Sequence, residues 1–266
     1  MAMSTSTTMT IAMLTKMAMG TLMVLLWRPT LTWQKQHVSI VGLNIIEIYL
    51  FSFTVHKVYP EDITDKIEQP NFPYLIQQFI YDQQHPDYVS NADTPDLPTF
   101  YGKITIYPSA VATFYAPSDI SGVGGMRRER IHAVESWRKG PARYDTILVN
   151  TDSSMKGMRG LDVARVRLFF SFSHDGTEYP CALVQWFLRM GNSPDNLTGM
   201  WVVEQDSDET PSAIIHLDTI VRASHLLPVF GHARVPRTLA FSDTLNTFTR
   251  FYVNKYIDHH AFEIAF

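Results

Sequence analysis

Acidic and histidine side chains that could catalyse a reaction are scattered along this 266-residue chain. The candidates are Asp119, Asp162, Glu204 and the tripeptide Asp258-His259-His260. Metal-dependent nucleases and hydrolases gather carboxylates around a divalent ion, so this chemistry needs several of these groups in one pocket. Convergence of two or more of them would favour an enzyme, whereas dispersal over the surface would favour a binding protein.

Two adjacent histidines near the C-terminus raise the question of a metal site. Neighbouring residues cannot share one face of a helix, so His259 and His260 would need a further ligand, such as His216 or Asp218. Hydrogen-bonded histidines against the aromatic-rich tail are the simpler interpretation. We therefore predict no catalytic residue, no bound metal and no cofactor.

A basic segment is the main candidate for a binding surface. Residues 126–143 contain six Lys or Arg side chains against two acidic ones, Glu129 and Glu135, and they include Trp137. Contact with a phosphate backbone requires such a patch, although a solvated basic face is the alternative interpretation. Two arginines that point outward from a predicted strand extend the patch. The predicted nucleic-acid contacts are Arg127, Arg128, Arg130, Arg138, Lys139, Arg143, Arg165 and Arg167.

Composition limits the other classes of function. A net charge of -4 gives no global attraction to nucleic acid or to an anionic membrane, so such contact needs a local patch. Cys181 is the only cysteine, which excludes an intrachain disulfide, and it is expected in the core. Residues 122–125 hold three glycines, but no Gly-Lys-Ser/Thr follows, so a Walker-type nucleotide site is not expected. No small-molecule substrate is evident.

The central elements are predicted to be antiparallel strands. From Ala164 to Phe172 every second residue is apolar, which is typical of a half-buried strand. Asp175-Gly176 then predicts a hairpin turn into a strand from Tyr179 to Leu188, and residues 200–204 predict a third strand. Together they form a three-stranded meander.

The flanking segments complete the predicted fold. Residues 73–84 predict an amphipathic helix, and Ser242 is placed to cap a last helix with an apolar stripe of Leu245, Phe248 and Tyr252. Many short strands at this spacing favour an α+β protein, mainly antiparallel β. The expected architecture is a curled sheet or small barrel with a few peripheral helices, including a C-terminal helix.

The N-terminal segment differs in composition from the rest. We predict that residues 1–57 are an atypical hydrophobic extension that need not belong to the fold, and that residues 58–266 form a β-rich domain. A membrane anchor or secretion signal within residues 11–55 is the alternative. The run from Val38 to Val55 contains Asn44 and Glu47, which oppose membrane insertion.

Several strings in the second domain resemble the C-terminal region of fungal Plavaka-type transposases, which are CACTA-like DDE elements. The likeness covers residues 59–266 in nearly colinear order and does not include the first 57. The matching strings are Ser109 to Asp119, Gly124 to Glu129, Gly160 to Phe170, Tyr179 to Val184, Thr198 to Glu204 and Phe251 to Phe262.

This resemblance implies a role without catalysis. In that family an RNase H-like domain with a metal-binding acidic triad cleaves DNA, and it lies upstream of the matched region. The chain is therefore expected to be an accessory or C-terminal domain of a transposase that contacts DNA, chromatin or other transposase domains, with a nuclear location. A cryptic metal-dependent nuclease or hydrolase and an inactive pseudogene product are the alternatives.

Overall fold

The computed structural model describes residues 32–41, 44–52, 56–85, 96–120, 122–205, 211–231 and 234–265. Backbone contacts group residues 33–266 into one unit. Within the described ranges, no helix has the length and apolar character needed to cross a membrane.

Two antiparallel sheets and three α-helices make up the described part of the chain. The strands are β1 (Thr32–Val41), β2 (Asn44–Ser52), β3 (His56–Val58), β4 (Ile104–Tyr107), β5 (Ser109–Tyr115), β6 (Met126–Val134), β7 (Arg143–Tyr144), β8 (Thr146–Asn150), β9 (Leu161–His174), β10 (Thr177–Arg189), β11 (Val202–Glu204), β12 (Ser212–His216), β13 (Ile220–Ser224), β14 (Leu226–Pro228) and β15 (Arg250–Val253). The helices are α1 (Phe72–Gln84), α2 (Thr244–Thr247) and α3 (His259–Ile264), with 3-10 turns at Pro60–Ile63, Gly157–Arg159, Leu217–Thr219 and Phe241–Asp243.

The order of the strands defines the two sheets. The first sheet has the strand order β1-β2-β5-β6-β7, and the second has the order β13-β8-β9-β10-β11-β15-β14, with β12, β3 and β4 paired beside that path. The sheets are curled, and the described strands do not close into a barrel. The α+β class is therefore confirmed.

The predicted meander is confirmed as β9, β10 and β11. Asp175 and Gly176 have φ angles of 49° and 77°, the positive values that a tight hairpin turn requires at both central positions. Antiparallel pairing then runs from Thr177 opposite His174 to Phe187 opposite Val163. This hairpin is the central support of the larger sheet.

A β-bulge makes β9 more buried than its alternating sequence predicts. Val184 pairs with Val166 while Leu183 pairs with Leu168, so Arg167 is an extra residue without a partner on β10. The bulge reverses the alternation: Val166 faces the core between the two sheets, but Leu168 faces the core beneath α1. The expectation of a half-buried strand is wrong, because both faces of β9 are covered.

Helix α1 covers the outer face of the larger sheet, as its apolar stripe predicts. Phe72 packs edge-on against Phe170 with ring centroids 5.3 Å apart, and Phe79 lies 6.2 Å from Phe172. Cys181 is fully buried in the same cluster, as expected. Sheet, sheet and helix therefore form three successive layers.

Part of the expected N-terminal extension belongs to the fold. Strand β2 pairs with β5 from Phe51 opposite Ser109 to Ile46 opposite Phe114. Ile48 and Leu50 of β2 are buried between the sheets. The described fold thus begins well before residue 58. Residues 1–31 of the expected extension lie outside the described residues.

The prediction of a long helix after Ser242 is wrong. Helix α2 has only four residues, and Tyr252 lies instead on β15, paired with Val202 of β11 and Leu227 of β14. Pairing on both sides satisfies the backbone of this segment in a sheet, which outweighs its helical apolar spacing. The C-terminal helix of the fold is α3.

Candidate nucleic-acid interface and ion-pair network

Six of the eight predicted basic contacts lie on the hairpin formed by β6, β7 and the turn between them. Arg138 and Lys139 occupy its tip with φ angles of 51° and 64°, and the Gly140 amide donates to the Trp137 carbonyl at 2.8 Å. Both residues are exposed. Left-handed backbone is strained in residues with a Cβ, so this turn holds two cations outward at a cost in stability.

Trp137 packs among one histidine and two arginines at this hairpin. Its ring lies 4.0 Å from the His132 ring, and the guanidinium carbons of Arg138 and Arg143 lie 5.2 Å and 5.1 Å from its centroid. Asp145 fixes the base of the hairpin. It accepts two bonds from Arg143, at 2.8 Å and 3.1 Å, and two from the backbone and ring of His132.

Strand β6 adds two further cations on the outer face of the smaller sheet. Arg128 and Arg130 are exposed, and the guanidinium carbon of Arg130 lies 4.0 Å from the centroid of the Phe51 ring. Neither has a carboxylate within ion-pair distance in the described ranges, and the same holds for Arg138 and Lys139. We call these four cations, together with Trp137, the arginine edge.

The other four predicted basic contacts are already engaged. Arg127 forms ion pairs with Asp119 and with Asp258, the latter at 3.7 Å, and Arg143 is bound by Asp145. Arg167 is half-buried and bonded to Glu68 at 2.9 Å. The predicted outward orientation of Arg165 is wrong, because its side chain is packed inside the protein with only 8% of the residue exposed.

A buried ion-pair network connects the two sheets through Arg222 of β13. Its guanidinium binds both oxygens of Asp258, at 2.8 Å and 2.7 Å, and approaches Glu129 of β6 at 3.3 Å. It also donates to His260 Nδ1 at 3.2 Å, which places the proton of the neutral imidazole on Nε2. His260 stacks on Phe114, 4.5 Å between centroids.

Burial and charge shift the pKa values in this network. Burial, with the Arg222 charge second, lowers the pKa of His260 to about 4. Burial would raise the pKa of Asp258, but the bonds from Arg222 and from the Ala261 amide outweigh it and lower that pKa to about 2. Burial raises the pKa of Glu129 despite Arg222. At neutral pH the network therefore contains a neutral histidine and an ionised aspartate.

Four of the acidic and histidine candidates meet beside this network. Asp119, Asp258, His259 and His260 line one cavity of about 380 Å³, together with Ser118. Ser118 Oγ lies 2.9 Å from His259 Nδ1, and Glu263 contacts that same nitrogen at 3.2 Å. A Ser-His-acid relay needs one ring nitrogen for each partner, so these three residues do not form one.

The remaining candidates lie apart from this cavity. Asp162 binds Arg189 at 2.8 Å, Glu204 binds Arg250 at 2.9 Å, and His216 pairs with Asp218 at 2.7 Å. In the described part of the chain, no group of three His, Cys, Asp or Glu side chains is placed to hold a metal ion.

The glycine-rich segment before β6 serves as a turn. Gly124 and Gly125 have φ angles of 63° and 77°, and a Cβ on Gly125 would lie 2.7 Å from the Tyr115 ring. The Gly125 carbonyl accepts the Ala116 amide at 2.7 Å, which joins β5 to β6.

Sequence reasoning missed Arg222. A charged residue within the apolar run Ile220 to Ala223 was the available signal, since a buried charge on a strand needs a partner. Comparison of the chain with models of known protein families gave no match, and comparison with curated proteins gave none either.

Proposed function

We propose that this chain is a non-catalytic domain, derived from a fungal DNA transposase, that contacts the phosphate backbone of DNA through the arginine edge. The observation that carries the proposal is that four exposed cations lie along β6 and the turn after it, which also holds the half-buried Trp137. None of the four has a carboxylate partner among the described residues. The resemblance of residues 59–266 to the C-terminal region of Plavaka-type transposases gives the biological setting, with a nuclear location.

The chemistry of the arginine edge favours DNA over an uncharged partner. Cations that lack a carboxylate partner can exchange small counterions for phosphates, which is the main source of affinity in sequence-independent binding. A surface tryptophan flanked by guanidinium groups can also stack on an unpaired base. An acidic segment of a chromatin protein or of another transposase domain is the alternative partner.

The engaged arginines contribute less to this surface. Arg127 and Arg143 would have to leave Asp119 or Asp145 to reach a phosphate, and Arg165 is buried. The predicted set of eight contacts thus reduces to Arg128, Arg130, Arg138 and Lys139.

A salt titration tests the proposal. Binding of the full chain to a fluorescent 30-base-pair duplex would be measured by anisotropy from 50 to 300 mM salt. If all four cations bind phosphates, replacing them with Gln reduces the magnitude of the negative slope of log K against log salt by about 3.6, at about 0.9 for each phosphate that is no longer neutralised. The matched control replaces the exposed Lys156, Arg159, Arg234 and Arg237 with Gln, which removes the same charge elsewhere. Equal decreases of the slope in both variants, or no binding by the wild type, would refute the proposal.

A metal-dependent nuclease or hydrolase is the second candidate. The observation in its favour is that Asp119, Asp258 and His260 line one cavity. Their carboxylates are bound by Arg127 and Arg222, which competes with a divalent ion for the same oxygens. Cleavage of DNA or an ester with Mg²⁺ or Mn²⁺ that disappears in Asp119→Asn and persists in Asp162→Asn would establish this candidate. Persistent cleavage in Asp119→Asn, or none in the wild type, would reject it.

A further inference from the structure

A cavity of about 650 Å³ forms a groove beside the β9–β10 hairpin. Arg165 and Gln185 of the paired strands form part of its lining, and Asn246 of α2 forms another part. The groove lies apart from the arginine edge and shares none of its residues.

Arg165 is a buried cation without a counterion in the described chain. Its Nη1 donates to the Asn246 amide oxygen at 2.7 Å, and its guanidinium carbon lies 5.8 Å from the Tyr144 ring. Its Nε is buried and has no hydrogen-bond partner. No carboxylate within the described ranges lies at ion-pair distance from it; Glu68, which is bonded to Arg167, acts on it only from farther away. Burying a charge is costly unless the charge is paired.

Comparison with Arg222 shows that this arrangement is unusual for the protein. Arg222 is buried to a similar degree, but two carboxylates and a histidine surround it. Beside Arg165 stands a second cation, Arg167, whose partner Glu68 has a side chain that is 81% exposed. Burial first, and the Arg167 charge second, lower the pKa of Arg165 to about 10. The guanidinium therefore stays charged at neutral pH, and no described carboxylate is bonded to it.

We propose that this groove binds a small organic anion, with a carboxylate or phosphate group on the Arg165 guanidinium. The neutral amides of Gln185, Asn246 and Gln205 line the groove and suit hydroxyl or amide groups on the rest of the ligand. Glu68 and Glu204 also line it and repel a polyanion. The groove is therefore complementary to a small molecule with a single anionic group and not to a nucleic-acid backbone.

Thermal unfolding of the full chain with simple anions tests this site. Inorganic phosphate, glycerol phosphate and acetate would each be titrated against sodium chloride at equal ionic strength. We expect a saturable rise in the unfolding midpoint, about 3–6 °C at ten times the dissociation constant, that is absent in Arg165→Gln. A larger rise with glycerol phosphate than with acetate assigns a phosphate ligand, and the reverse assigns a carboxylate. An equal rise in Arg165→Gln, or no rise beyond that of chloride, would overturn the proposal.

Two further variants separate the possible explanations. Arg128→Gln on the arginine edge should keep the full anion effect, so failure of DNA binding and failure of this site are distinguishable. Asp206, Asp208 and Glu209 lie in the chain between β11 and β12. If anions stabilise only the variant in which these three are Asn, Asn and Gln, the chain supplies its own anion, and the proposed ligand is excluded.

Discussion

The hairpin tip at Arg138 and Lys139 gives a prediction in which stability and binding change in opposite directions. Both residues have positive φ and the turn is closed by the bond between Gly140 and Trp137, a conformation for which Asn-Gly is the preferred sequence. The change is therefore the double substitution Arg138→Asn and Lys139→Gly. It removes two cations while retaining the backbone of the turn.

The expected gain in stability is small but measurable. Left-handed backbone costs a residue with a Cβ about 1 kcal/mol, so relief at two positions is worth about 2 kcal/mol. Removal of the Arg138 guanidinium from the Trp137 ring, 5.2 Å away, offsets about 0.5–1 kcal/mol. A net gain of about 1 kcal/mol should raise the midpoint of thermal unfolding by about 2–4 °C.

Binding should weaken in the same protein. Without these two cations, two fewer phosphates are neutralised. The magnitude of the negative slope of log K against log salt for duplex binding, measured by fluorescence anisotropy, should therefore fall by about 1.8. The matched control is Arg234→Gln with Arg237→Gln, which gives the same net charge of -6 from the wild-type -4 without touching the hairpin. An unchanged salt slope with a raised melting midpoint would show that the two cations do not contact DNA. A lowered melting midpoint would refute the argument from backbone strain.

Three other substitutions test the fold and the ion-pair network. Arg222→Met leaves the partly buried Glu129 without its cation and Asp258 with only the more distant Arg127. Denaturant unfolding should show a loss of about 3–5 kcal/mol, against at most about 1 kcal/mol for the exposed Arg250→Met. The pKa of His260 falls from 6.5 to about 4 on folding, so the unfolded chain binds more protons between these two pH values. The free energy of unfolding should therefore drop by at most about 3 kcal/mol as the pH falls from 6.5 to 4. His260→Gln should reduce this drop, and the exposed His259→Gln should leave it unchanged. Gly176→Ala places a Cβ in open space but at φ 77°, so we expect a loss of about 1 kcal/mol from backbone strain alone, and a loss near zero would contradict the assigned turn.

Local sequence patterns predicted the elements whose signals lie within a few residues. The Asp175-Gly176 turn sets the register of β9 and β10 because both central positions need positive φ, and the apolar stripe of residues 73–84 sets which face of α1 is buried. The basic composition of residues 126–143 located the arginine edge. In each case the neighbours that decide the structure are adjacent in the chain.

The sequence by itself thus determined the central hairpin, the first helix and the place of the basic surface. Only the tertiary structure decided that Arg167 forms a bulge, that Arg165 is buried beside Asn246, and that Arg222 joins β13 to Glu129 and Asp258. The contacts of Arg165 and Arg222 join residues 36 to 93 positions apart, and the bulge depends on the register between two whole strands, so no local pattern records them. Pairing on both sides likewise made residues 250–253 a strand where their spacing predicted a helix, because hydrogen bonds to distant strands outweigh local propensity.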